Sequence, residues 1–290
     1  MRWGEFVDAD GVTIRYRVWS AVAEPRGVIA LLHGVGEHSG RYDETARAFT
    51  AAGWEVWADD HRGHGETGRL QHGGDVSRMG RLGPGGLRST VAAIEQFLAI
   101  ARAARPDLPF VVLGHSWGSL VTQMMMNRGT CPADAVILTG TAYRTPFAMD
   151  GGNLNRKHAH LGTTGVEWLS RDPEVARAFV ADELCTATPL RTLFGLPDTL
   201  RLLGRPAPGI AVVPLLIAVG SDDTLGGERS ARALAQAYVT RSHFTDVTVL
   251  VYPGARHEIL NETNRLEVQG DLVEWLDQRF ASAARDSFAI

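Results

Sequence analysis

A hydroxyl group attacks a carbonyl carbon at neutral pH only when a base takes its proton during the attack, and this sequence holds the parts for that reaction at three separated places. Ser116 lies in Gly114-His115-Ser116-Trp117-Gly118, where the flanking glycines permit a turn tight enough to leave the hydroxyl at its tip. His257, in the loop 253–258, offers an imidazole that titrates near neutrality and so can take a proton and return it to a leaving group. A carboxylate must then hold the imidazole tautomer and stabilise the imidazolium that develops. Asp222 and Asp223 both qualify; Asp223 is preferred, and Asp222 is read as capping or solvating its turn. These residue types predict acyl transfer through a covalent acyl-enzyme.

The tetrahedral intermediate of such a reaction carries an oxyanion, which needs backbone N–H donors aimed at it. One is expected from Trp117, the residue after the nucleophile, and the other from Val35 in the glycine-rich stretch His33-Gly34-Val35-Gly36-Glu37-His38-Ser39-Gly40. A plain strand-to-helix connection capped by Ser39 would explain that stretch equally well, and both readings can hold together.

Each candidate falls just past an apolar run. Residues 110–113 read as a buried strand leading into Ser116, and 120–126 continue as an apolar helix; 27–32, 214–219 and 247–252 are strands before Val35, Asp223 and His257. Around them lie a hairpin over 5–19, strands at 54–58 and 135–138, and helices over 41–52, 84–104, 228–238 and 262–280. The alternation predicts an α/β chain with a mostly parallel, doubly wound sheet, whose ligands sit at the carboxyl ends of the strands. The order serine, aspartate, histidine is that of the α/β-hydrolase fold. From 141 to about 208 the pattern turns irregular, with a short helical piece over 172–182 opening at Pro173, so 141–210 is read as an inserted lid on a core of 1–140 and 211–290.

The remainder of the composition narrows the function. A net charge of −4 offers no basic face for nucleic acid, and no apolar run approaches membrane-spanning length, so no stable membrane insertion is expected. Two cysteines and no export signal suggest a cytoplasmic protein with reduced thiols. His61 and His64 in a glycine turn lack the further ligands that a closed metal site needs, and His158 and His160 are expected on a solvated polar face of the lid, so neither metal nor cofactor is expected.

With these residues in place, the sequence resembles the monoacylglycerol lipase and lysophospholipase-like branch of the serine α/β hydrolases. The resemblance is carried by 33–42, Gly63-His64-Gly65, Gly114-His115-Ser116-Trp117-Gly118, Leu169-Ser170-Arg171-Asp172, Gly220-Ser221-Asp222-Asp223 and His257-Glu258, in that family's order. It implies Asp223 as the acid and a monoacylglycerol or similar single-chain acyl ester as substrate, with transient lipid contact. A lysophospholipid, a thioester or a short soluble ester is the alternative, and a silent binding scaffold is a more distant one. It also suggests Glu37, Arg41 and His115 as a polar cluster receiving a glycerol-like head group, although a buried ion pair bracing the loop explains the same residues. The sequence departs from that pattern at Trp117, where a small or flexible residue is usual, at Ser119, where glycine is common, and in the polar stretch 151–162 of the lid.

Overall fold

The computed structural model describes residues 1–280. Eight strands form one sheet: β1 (Arg2–Val7), β2 (Thr13–Trp19), β3 (Gly27–Leu32), β4 (Trp54–Asp59), β5 (Phe110–His115), β6 (Ala135–Thr139), β7 (Leu215–Gly220) and β8 (Val247–Tyr252). Their spatial order is β1-β2-β4-β3-β5-β6-β7-β8. The pairs β1 with β2 and β2 with β4 are antiparallel and the rest are parallel. Helices cover both faces because alternate residues of each strand point to opposite sides. On one face Ile29, Leu31, Val111, Leu113, Leu216 and Ala218 meet α1 (Asp43–Ala51) and α8 (Arg265–Arg279). On the other, Val28, Ala30 and Val112 pack on α3 (Gly86–Ala104) and α4 (Trp117–Arg128), while Val136 and Ile217 pack on α7 (Gly227–Ser242).

This topology locates a site before any side chain is considered. From β3 the chain moves outward to β4, then returns to the other side of β3 as β5. A crevice opens at the carboxyl ends of β3 and β5, where successive connections run in opposite directions. Val35 follows β3 and Ser116 follows β5.

Three elements differ from expectation. A short helix α2 (Gly65–Gln71) follows the Gly63-His64-Gly65 turn, hidden in the sequence by Gly65 and Gly68. The segment between β6 and β7 holds α5 (Pro173–Ala181), as anticipated, and also α6 (Leu190–Arg201), which the sequence pattern misses because Gly195 breaks it at φ 74° and Pro197 follows. His158 is buried, at 4% exposure, instead of solvated. Its Nε2–H donates to the Asp222 carbonyl at 3.2 Å and Lys157 reaches the Asp222 carboxylate at 3.0 Å, so this polar stretch clamps the turn after β7; His160 is exposed. Among the described residues no helix is long and apolar enough to cross a membrane.

Candidate active site

Backbone strain marks the serine. Ser116 has φ 51° and ψ −121°, a region that L side chains rarely adopt. Strand β5 must reverse into α4 within this residue, and its neighbours leave no space for a Cβ. One built on Gly118 would lie 2.2 Å from the Leu32 carbonyl oxygen, and one on Gly114 would lie 2.7 Å from the Ser119 Cα. The glycines thus allow β3, β5 and α4 to approach closely enough to hold the strained turn.

Ser116, His257 and Asp223 meet above the sheet. Asp223 is acceptor-only, so the His257 Nδ1 carries a proton and donates it to both carboxylate oxygens, at 2.9 and 3.0 Å. That tautomer leaves a lone pair on Nε2, which accepts from the Ser116 hydroxyl at 2.8 Å. Asp223 is further fixed by the Leu225 N–H at 2.9 Å. Burial opposes charging of His257, but the Asp223 carboxylate and its hydrogen bond outweigh it and raise the pKa above the ordinary 6.5. Asp222 points elsewhere, toward Lys157. The arrangement can take the serine proton as the oxygen attacks and hold the resulting imidazolium.

Among the described residues, neither the Val35 nor the Trp117 backbone N–H has an acceptor. Gly34 brings the first of these close: a Cβ there would stand 3.1 Å from the Ser116 Cβ. Two donors without partners beside the serine form a site complementary to developing negative charge. The loop carrying Val35 is braced from below by a histidine stack. His33 donates from Nδ1 to the Gly34 carbonyl at 2.7 Å and accepts the His61 N–H at 3.0 Å, with the two rings 3.9 Å apart. His61 donates to Asp59 at 2.8 Å and His64 to the Arg62 carbonyl at 2.9 Å. Burial holds His33 and His64 neutral, the latter at a pKa of about 3. The sequence offered no sign of this brace beyond the histidines themselves.

Glu37 and Arg41 are committed to one another and to Glu258. Arg41 donates to Glu37 at 2.7 Å and to the two oxygens of Glu258 at 2.6 and 2.8 Å. Glu37 also accepts from the Gly34 N–H and the Tyr42 hydroxyl, both at 2.7 Å. Bracing therefore accounts for these side chains better than head-group binding. His115 is likewise occupied, its Nδ1 3.1 Å from the Thr139 hydroxyl and its ring 4.9 Å from that of His257. Burial, then the neighbouring His257, lowers its pKa to about 4, so it stays neutral. The Arg41 side chain is 10% exposed and those of Glu37 and Glu258 are 4%. Arg41→Met should therefore leave two buried carboxylates unpaired and lower stability by about 3–5 kcal/mol. Urea unfolding measures this; a change below about 1 kcal/mol would show that the cluster is not a brace.

The fold and the site define a serine hydrolase of the α/β-hydrolase class. Within it, the chain belongs to the family described as serine aminopeptidase, S33, whose model matches residues 23–264. It is 34% identical over 283 residues to the monoacylglycerol lipase of Mycolicibacterium smegmatis, covering 93% of this chain and 95% of that one. It is 27% identical over 294 residues to the monoglyceride lipase of Homo sapiens, covering 97% and 92%. Among solved structures it matches a thermostable carboxyl esterase from Bacillus coagulans, in complex with glycerol, at a TM-score of 0.84 and 26% identity, covering 97% and 99%.

Proposed function

We propose that Ser116, His257 and Asp223 form the catalytic triad of this serine ester hydrolase, that Val35 and Trp117 supply its oxyanion donors, and that its substrates are monoacylglycerols or similar single-chain acyl esters. The carrying observation is the unbroken run of hydrogen bonds from the Ser116 hydroxyl through His257 to Asp223, beside two backbone N–H groups without partners among the described residues. The Ser116 oxygen attacks the acyl carbon as its proton passes to His257, and the carbonyl oxygen takes up negative charge against the Val35 and Trp117 N–H groups. Collapse breaks the ester bond, and the departing alkoxide takes the proton from His257. Water then repeats the sequence on the acyl-enzyme and releases the fatty acid. Every proton is accounted for by the triad, and no step calls for a cofactor.

Local charge favours a neutral alcohol over a phosphate head group. Around Ser116 stand the carboxylates of Asp223, Glu37 and Glu258 against the guanidinium of Arg41, and Glu258, despite burial, is held charged at a pKa of about 2 by Arg41. A phosphate would enter against net negative charge. We assign residues 141–210 to the lid, which with its neighbours leaves Ser116 only 8% exposed. Its exposed Phe147, Leu196 and Leu200 suit transient contact with a lipid source. Unpaired Cys131 and Cys185 accord with a cytoplasmic location.

A turnover screen tests the substrate. Monoacylglycerols should exceed lysophospholipids and acyl thioesters in kcat/KM by roughly tenfold or more, the scale set by about 1.4 kcal/mol of differential binding. Faster turnover of a lysophospholipid, or of an aminoacyl anilide as the family description suggests, would replace this reading.

A further inference from the structure

We infer that Trp117 is the inner wall of the acyl-chain slot and makes the enzyme selective for short acyl chains. This rests on the proposed ester-hydrolase reading of the site and narrows its substrate.

Both proposed oxyanion donors belong to residues whose side chains join one apolar cluster, where Val35 and Trp117 meet Leu190, Phe194 and Met149. An acyl carbonyl held by those N–H groups has its chain beside that cluster. The opposite flank of Ser116 is less hospitable, since His257 lies there between Trp168, at 4.5 Å, and His115, with Thr139 and Thr141 close by. A cavity of about 590 Å³ does open between 143–151 and 224–233, but neither Ser116 nor Trp117 lines it.

Trp117 fills the slot instead of merely lining it. Its side chain is among the largest fully buried ones, at 1% exposure, with ring centroids 5.0 Å from Phe194, 5.3 Å from His64 and 5.4 Å from His61. Among the described residues its indole N–H is buried without a partner, so no hydrogen bond there explains a tryptophan at this position.

The two sides of the slot are held differently. Trp117 stands at the first turn of α4, a helix buried along most of its length, and its backbone is fixed by the strained Ser116 turn. Phe194 comes immediately before the break at Gly195 in α6. Beyond the break, Asp198 accepts the Leu87 N–H at 2.9 Å and Arg144, which also donates to Gln123 of α4, donates to the Leu202 carbonyl at 2.8 Å, so that half is tethered to the core. In this reading residues 190–194, held by side-chain packing such as Leu193 against Gly80, give way to admit a chain while the indole stays in place, and the indole sets how deep the chain reaches.

The test is the ratio of kcat/KM for dodecanoyl over butanoyl monoglyceride, each below its aggregation concentration, in the wild type, Trp117→Met and Phe194→Ala. An apolar slot discriminates one methylene by roughly tenfold or more, so the wild-type ratio should be about one-tenth or lower. Trp117→Met should raise it about tenfold or more, and Phe194→Ala should raise it in the same direction, which keeps the test open if the tryptophan variant fails to fold. A wild type that prefers the dodecanoyl ester, or variants whose ratio does not move, would overturn the inference while Ser116-dependent hydrolysis remained. Absence of ester turnover in the wild type would overturn both this inference and the reading beneath it.

Discussion

Ser116→Ala should lower kcat for ester hydrolysis by roughly a millionfold, the loss typical when a triad nucleophile is removed and only binding and oxyanion stabilisation remain. The effect is large because the Ser116 hydroxyl is the one that donates to the His257 imidazole. The substitution should fold, since alanine removes one oxygen and leaves the strained turn to the glycines and β5 that impose it. A fluorophosphonate should label the wild type stoichiometrically at Ser116 and leave the variant unlabelled. Hydrolysis at the wild-type rate by Ser116→Ala would end the catalytic account and leave the fold alone standing.

The second large effect belongs to the acid. Asp223→Asn should reduce kcat by about ten thousandfold, because an amide can present its N–H to Nδ1 and stabilise the wrong imidazole tautomer, with the proton on Nε2 where the serine needs a lone pair. It should also move the pH profile. Active enzyme requires neutral His257, so kcat/KM rises with pH through the His257 pKa. In the wild type that limb should lie above the ordinary value of 6.5, because Asp223 overcomes burial. Without the carboxylate the desolvation of a fully buried imidazole dominates, and the residual activity should titrate at lower pH than the wild type. Asp222→Asn should change kcat little, since its carboxylate meets Lys157 near solvent. A ten-thousandfold loss in Asp222→Asn instead would reassign the acid.

Much of this was readable from local pattern. Strand β3 has the bounds expected from its continuous apolar run, because a strand covered by helices on both faces rarely carries polar residues in its middle; β8, at the sheet edge and only partly buried, also has its expected bounds although Thr248 interrupts its apolar run. The glycines around Ser116 were legible for the same kind of reason, a steric requirement within a few residues. Less was readable where distant chain decides. The break at Gly195 disguised α6, whose second half is held through Asp198 to the Leu87 N–H and through the Leu202 carbonyl to Arg144. His158 carries no local mark of burial; it is buried because the chain returns over Asp222, 64 residues away. Glu37 and Arg41, four residues apart, form an ion pair that spacing alone permits, but Glu258, 217 residues from Arg41, makes it a buried three-membered brace.

The sequence alone determined which chemistry was available and at which end of the sheet it would gather, because turns, strand periods and glycine requirements are enforced by neighbours along the chain. Tertiary structure decided the rest: that Asp223 and not Asp222 faces the imidazole, that Glu37 and Arg41 hold one another while His115 meets Thr139, and that Trp117 packs against Phe194. Those outcomes depend on side-chain direction after a turn and on contacts between segments far apart in sequence. Hydrogen bonds and close packing, effective only within a few ångströms, select one arrangement once the sheet has brought those segments together.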